Sequence, residues 1–274
     1  MILTNEQLRK LQIKETEILK EIDRLCREHK IYYSLMYGTL IGAIRHKGFI
    51  PWDDDIDILM TRENFDKFLG VLNELDDKFF YIDSYNNKHY GLRFGKVMMK
   101  NTIMQEKITS KKVPCGIFVD IFVLEKTSLD EKKQIKQFND YWTLRRICLR
   151  RSHYITKNNP VSRFFFNLMG CLFKLIPYRY LTKKDKEIKS RFNSLNEFKW
   201  INLELTEKDF SQAIIEKDVF DKYIDVEFEG SKFMVIKDYD KILIPIYGDY
   251  MQLPSEEERN PHHYVENIDF GDAK

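Results

Sequence analysis

The sequence predicts an α+β fold, a mixed sheet with flanking helices followed by a mainly helical second half. Three observations predict it. Leu8, Leu11, Ile18, Ile22 and Leu25 recur at helical spacing near the start. Short β-branched and aromatic runs then alternate with helical patterns up to residue 124. Residues 161–225 are mostly helical in pattern.

Taken in order, Thr4 and Gln7 form a capping box that opens a helix over residues 5–29. Residues 31–37 read as a strand that meets a tight turn at Gly38-Thr39, and 40–46 as a short helix. Gly48 and Pro51 mark a loop. Residues 55–60 alternate acid and aliphatic before turning fully apolar, which predicts a strand. Phe65, Phe68, Leu69, Leu72 and Leu75 define the next helix, with Thr61 as its cap and Asn64 in its first turn. Residues 79–83, 92–99 and 117–124 are further strands, the last broken by one acid, Asp120. Ser128 and Glu131 suggest a second capping box, ahead of a helix through Ile135, Phe138 and Trp142. Short strands at 226–228 and 233–236 and a helix at 239–247 follow.

Composition excludes several classes. The chain has 274 residues, 43% hydrophobic and 32% charged, which suits a soluble protein with a substantial core. A net charge of +2 gives no global field for nucleic acid, and no nucleic-acid partner is expected. Cys26, Cys115, Cys148 and Cys171 form no CxxC pair, which argues against a structural zinc site or a disulfide framework and for idle thiols in a reducing cytoplasm. Met1 to Glu6 carries neither a basic nor an apolar signal region, and no run is apolar enough to span a membrane.

The chemistry concentrates in Pro51-Trp52-Asp53-Asp54-Asp55-Ile56-Asp57. Residues two apart on a strand share a face, so Asp55 and Asp57 project together. Adjacent carboxylates repel unless a cation lies between them, and hard divalent ions such as Mg²⁺ or Mn²⁺ take oxygen ligands while bridging to phosphates. Asp120 strengthens this reading, because an acid inside an apolar strand is costly unless paired or metal-bound. A lone acidic run is otherwise a solvated loop or a helix cap. A calcium loop would need Gly and Glu at fixed offsets that are absent, and a haloacid-type hydrolase would want Thr where Leu59 stands.

Gly38-Thr39, ahead of the acids, offers backbone N–H groups and a hydroxyl to phosphate. With two acids on the next strand and a third acid further on, the arrangement matches that of nucleotidyltransferases. Arg45, His46 and Lys47 lie between turn and acids, where they either contact phosphate or are solvated at the surface. Arg93 and Lys96 are similar candidates on a later strand.

The run from Gly38 through Gly42-Ala43-Ile44-Arg45-His46-Lys47-Gly48-Phe49-Ile50-Pro51-Trp52 to Asp57 resembles the signature of the LicD family. Residues 116–124 around Asp120, and Tyr247-Gly248-Asp249-Tyr250-Met251 with Leu253-Pro254 and His262-His263, resemble it too. Ile41 and Ile44 stand where Leu and Tyr or Phe are more usual. The resemblance implies a nucleotidyltransferase-like fold, with residues 1–127 as catalytic core and 128–274 as a mainly helical region with a C-terminal substrate-binding segment, or one continuous domain. It implies transfer of a phospho-alcohol, above all phosphocholine, from a CDP-activated donor to a sugar hydroxyl of a bacterial surface glycan or teichoic acid precursor, lipid-linked or free, with release of CMP. The fukutin-type proteins that move ribitol phosphate are similar. Asp55, Asp57 and Asp120 match the family's metal-binding acids. Gly38, Thr39, Arg45, Lys47, Asp53, Arg93, Lys96, Asp249 and His262 become candidates for substrate and phosphate contacts. The same acids would serve a true nucleotidyltransferase that releases pyrophosphate. A silent glycan-binding scaffold, by contrast, predicts a damaged acid set, and all three acids are present.

Residues 161–184 are apolar between basic flanks, Arg163 on one side and Arg179, Lys183 and Lys184 on the other. The stretch is either a buried helix or a peripheral contact at the inner face of the cytoplasmic membrane.

Overall fold

The computed structural model describes residues 3–106, 112–152, 160–205, 210–259 and 265–271, without the side chains of 160–164 and 258. The first apolar stripe folds as α1 (Asn5–Glu28), and the Thr4–Gln7 capping box forms in both directions. Leu11, Ile18, Leu19, Ile22 and Leu25 are fully buried along its inner face. The next strand, β1 (Ser34–Leu35), is shorter than the sequence predicts, and α2 (Tyr37–His46) starts before Gly38. Gly38 and Thr39 therefore occupy the first turn of a helix instead of a separate turn. The chain breaks there because Tyr37 takes a left-handed φ of 52°, which ends the extended run.

β2 (Asp57–Thr61) and α3 (Arg62–Gly70) follow, with Thr61 Oγ1 accepting from Asn64 N as expected. Next come β3 (Phe79–Ile82), β4 (Gly95–Met99), β5 (Ile103–Glu106) and β6 (Phe118–Thr127). α4 (Glu131–Arg151), α5 (Pro160–Phe173) and α6 (Tyr178–Lys189) form the helical block. The chain then returns to strands in β7 (Lys199–Asn202), a turn of helix α7 (Phe210–Ala213) and β8 (Ile214–Ile215). β9 (Tyr223–Phe228), β10 (Ser231–Ile236), α8 (Asp240–Tyr247) and β11 (Val265–Asp269) complete the described chain.

Further expectations change. β2 starts at Asp57, so Asp55 lies in the loop ahead of it and not two places along the same strand, and the helix expected through Leu75 ends at Gly70. The cap of α4 is Asp130, whose carboxylate accepts from Lys132 N at 2.8 Å, while Ser128 Oγ accepts from Asp130 N one step outside the helix. A carboxylate next to the first turn outcompetes a hydroxyl two residues further out. The helical pattern expected over 161–225 is continuous only to Lys189; beyond it the short α7 alternates with β7 and β8, which at four and two residues are too short to display a period of two.

The main sheet runs β1-β2-β6-β4-β3, with β7 paired to the far half of β6 and β8 to β7. Among the described residues only the β2–β6 pairing of this sheet is parallel, so the sheet is mixed. β6 sits at its centre, with Phe118, Val119, Ile121 and Leu124 buried. β9 and β10 form a hairpin closed by Glu229-Gly230, both at positive φ, the two-residue turn that suits right-twisted strands. The principal core joins α1, the sheet, the hairpin and α8. A smaller core gathers Phe138, Tyr141, Leu144, Leu181, Ile188 and Ile201 between α4, α6 and β7.

A buried charge network ties α6 to the segment before β4. Arg93 Nη2 lies 2.9 Å from Asp185 Oδ2, Lys189 Nζ lies 3.3 Å from the same oxygen, and the Tyr85 hydroxyl donates to Asp185. Removing the shared acceptor leaves two cations buried without their counter-charge. Asp185→Ala is therefore expected to lose about 3–5 kcal/mol of stability in urea unfolding, far above the effect of a surface acid.

Candidate functional site

Strand register builds the site. Asp57 of β2 stands opposite Asp120 of β6, and Lys96 of β4 stands opposite Asp120 from the other side. Residues paired in register share a sheet face, so three charged side chains form one row across three adjacent strands. Lys96 Nζ lies 3.0 Å from Asp120 Oδ1 and 3.7 Å from Glu106 Oε2, over the Phe118 ring. The backbone fixes the row's edge: Met36 N donates to Asp57 O, and Asp120 N to Ile56 O. Thr39 Oγ1 accepts from Asp57 N at 2.9 Å, which locks the first turn of α2 to the start of β2.

The loop before β2 brings more acids. Asp53 and Asp54 are buried and Asp55 half-buried, and one carboxylate oxygen of each lies within 4.8 Å of the others. Gln12 of α1 donates to Asp53 O at 3.0 Å, holding the loop against the helix. Gly38 leaves the space that the Asp53 carboxylate occupies, since a Cβ there would come within 2.5 Å of Asp53 Oδ2 and displace it. All these donors are hard oxygens, and their mutual repulsion calls for a cation, so the residues present fit Mg²⁺ or Mn²⁺.

Electrostatics agree. The Asp57 carboxyl is held well above the usual carboxylate range, by burial first and then by Asp55, Asp120 and Asp53, with Lys96 opposing. Glu15 of α1 is fully buried, neither carboxyl oxygen has a hydrogen-bond partner among the described residues, and its pKa is raised by burial and then by Asp55, Asp54, Asp53 and Asp120. The Tyr37 hydroxyl is raised by burial and then by Asp57. Asn202 of β7 donates to that hydroxyl at 2.5 Å, so the second half of the chain reaches the site. Tyr247 keeps 44% of its surface in solvent, yet enough protein surrounds its hydroxyl that burial, followed by Asp57, Asp53 and Asp55, raises it as well.

The structure thus brings together Gly38, Thr39, Asp53, Asp55, Asp57, Lys96 and Asp120. Other candidates lie differently. Arg45 spends its Nη1 on the carbonyls of Tyr250 (2.6 Å) and Gln252 (2.9 Å), tying the segment after α8 to α2. Lys47 is exposed and pairs with Glu227 at 3.7 Å. Arg93 belongs to the buried Asp185 network. Asp249 is exposed and accepts from Met251 N and Gln252 Nε2 within its own turn. His262 lies outside the described residues.

A family model described as "LicD/FKTN/FKRP, nucleotidyltransferase domain" matches residues 30–156, the stretch that holds α2, the acidic loop, β2 and β6. The lipopolysaccharide cholinephosphotransferase LicD of Haemophilus influenzae is 32% identical over 270 residues, 94% of this chain and 97% of that protein. This chain belongs to the LicD family. Shorter matches reach two uncharacterised proteins, from Rickettsia typhi (34% over 76 residues, 26% of this chain and 25% of that protein) and Rickettsia prowazekii (37% over 68 residues, 23% and 26%). The likeness to the Haemophilus LicD protein extends beyond the matched domain, through β7 and α8.

In this LicD-family chain Glu15, Tyr37 and Asn202 are the site neighbours that sequence reasoning missed. Glu15 carried a signal: Leu11, Glu15, Ile18 and Ile22 follow one helical stripe, and an acid interrupts it. Asn202 carried none, because its place depends on how β7 pairs with β6.

Glu15 generates a pH prediction. A carboxyl whose pKa is higher in the folded state binds its proton more tightly there, so stability is lost as pH rises through the folded value. Glu15→Gln is expected to melt at the same temperature as wild type below the unfolded-state carboxylate value of about 4.3, and higher than wild type near neutrality. Metal-free melting curves across pH check this.

Proposed function

We propose that this chain is a phosphotransferase that moves phosphocholine from a CDP-activated donor to a sugar hydroxyl of a bacterial cell-surface glycan. The observation that carries the reading is 32% identity to a lipopolysaccharide cholinephosphotransferase over nearly the whole of both chains. The acid row supports it, because transfer between phosphate esters needs concentrated charge handling more than covalent chemistry.

In the proposed reaction the acceptor oxygen forms a bond to the β-phosphorus of the donor, and the bond from that phosphorus to the bridging oxygen breaks. CMP leaves with the bridging oxygen. Asp55, Asp57 and Asp120 would hold Mg²⁺ or Mn²⁺, with Asp53 and Asp54 beside them. When bound, the ion supplies neutralisation of the diphosphate charge. Asp120 would take the proton of the acceptor hydroxyl, and its ion pair with Lys96 fixes its orientation. Thr39 and Gly38 keep the first turn of α2 close to the acids, where its backbone N–H groups would meet the donor's phosphates. Tyr247, partly exposed beside the acids, offers an aromatic wall to a quaternary ammonium. A nucleotide-activated donor places this chemistry on the cytoplasmic side. A lipid-linked glycan would then be met at the inner face of the membrane.

With CDP-choline, Mg²⁺ and a glycan acceptor, the protein is expected to release CMP and leave phosphocholine on the glycan, read by chromatography and mass spectrometry. Asp57→Asn should lower kcat at least about 100-fold. Pyrophosphate formed from CTP, with no CMP from CDP-choline, would replace this reading by nucleotidyl transfer.

Metal binding has its own readout. Mg²⁺ at about a hundred times its Kd should add about 2.7 kcal/mol to the stability of the wild type. The Asp55→Asn, Asp57→Asn variant should show no such rise in thermal melting.

A further inference from the structure

The basic, apolar middle of the chain plays no part in the proposed reaction, yet it forms a built surface. From Tyr141 to Lys184 the sequence contains ten of the 45 Lys and Arg residues and none of the 43 Asp and Glu residues. The rest of the molecule is net acidic, so positive charge is concentrated in one stretch of an almost neutral protein.

Within that stretch, α5 packs against α4, and Arg151 Nη1 donates to Phe173 O near its end. Its other face meets solvent. Phe165 is 59% exposed, Leu168 46% and Leu172 50%, and Leu175, in the turn that follows, is 80% exposed. The spacing of three, four and three places the helical members on one side of α5. Gly170 is buried and Phe166, Met169 and Phe173 are half-buried, so the helix separates an inner side from an apolar outer one. Lys174, Arg179 and Lys183 are exposed around the end of this face, beside the half-exposed Tyr180. Among the described residues no helix is long and apolar enough to cross a membrane.

We propose that the outer face of α5, with the turn to α6, is a docking surface for an anionic lipid bilayer. The leucines and Phe165 enter the headgroup–acyl boundary while Lys174, Arg179 and Lys183 meet lipid phosphates. Charge decides between this occupant and a second copy of the chain. A two-fold contact would set this face against itself, bringing one rim of Lys174, Arg179 and Lys183, with Glu187 held by Lys184 beside it, onto another of the same net positive sign. A bilayer rich in phosphatidylglycerol supplies both the apolar layer and the opposite charge. The inference is independent of the reading of the acidic site, and vesicle binding is measured without turnover.

The test is co-sedimentation of the full chain with vesicles of phosphatidylglycerol mixed with phosphatidylcholine, and with vesicles of phosphatidylcholine alone. Light scattering of the lipid-free protein runs in parallel. Binding to the anionic vesicles is expected to be at least tenfold tighter than to the neutral ones, and weaker as salt rises from about 0.1 M to 0.5 M. Leu168→Glu with Leu172→Glu should weaken it at least tenfold, and so should Lys174→Glu with Arg179→Glu and Lys183→Glu. These residues are exposed, so both variants should keep the wild-type circular dichroism spectrum and CMP release on a water-soluble acceptor. Absence of binding to anionic vesicles overturns the proposal, as does binding that the leucine variant leaves unchanged. A concentration-dependent dimer broken by the leucine variant, without vesicle binding, assigns the face to a second copy and overturns it too.

Discussion

Like-charge repulsion among closely placed carboxylates governs this structure. Asp53, Asp54, Asp55, Asp57 and Asp120 converge where the parallel pair β2–β6 begins, and Glu15 adds a sixth acid from α1. Lys96 is the cation that the row itself contains, and it does not bring Asp57 down to the ordinary carboxylate range. A fold selected for stability alone would disperse such charges. Their concentration makes sense when a divalent ion and a diphosphate complete the electrostatics.

Much of the surrounding structure holds these acids at short range. Gln12 fastens the acidic loop to α1, the Thr39 hydroxyl receives Asp57 N, and the absence of a side chain at Gly38 leaves room for the Asp53 carboxylate. Further out, Glu229 in the β9–β10 turn accepts from Phe49 N and pairs with Arg9 at 2.6 Å, so the hairpin braces the loop after α2 against α1. Arg45 performs the corresponding task for the segment after α8. Several residues whose type suggests phosphate contact thus act in this structure as fasteners of the backbone that carries the acids. Left-handed Tyr37 lies at the same junction, and such backbone strain persists where surrounding contacts over-determine it.

What could be read from the sequence divides along physical lines. α1, with its capping box, was legible because 24 residues give several turns of periodicity and a local cap. Asp120 was legible because it interrupts an apolar strand, and Asp57 because it belongs to an alternation of acids and aliphatics; the parallel register then sets them opposite each other. β5, β7, β8 and β11 were hidden: strands of two to five residues carry little pattern, and their pairing is long-range. The ion pairs of Lys47 with Glu227 and Arg93 with Asp185 join residues far apart in sequence, so residue type alone misdirects there. Glu15 stood in plain view inside the α1 stripe, but its meaning depends on which loop packs over it.

On the proposed reading the converging acids bind the diphosphate of a CDP-alcohol through a divalent ion. Calorimetric titration of CDP-choline into the wild type and the Asp55→Asn, Asp57→Asn variant, with and without Mg²⁺, tests it most directly. Saturable binding by the wild type that needs Mg²⁺, loss of that binding in the variant, and weaker binding of CTP are expected. Equal binding with and without Mg²⁺, or binding that survives in the variant, would contradict it.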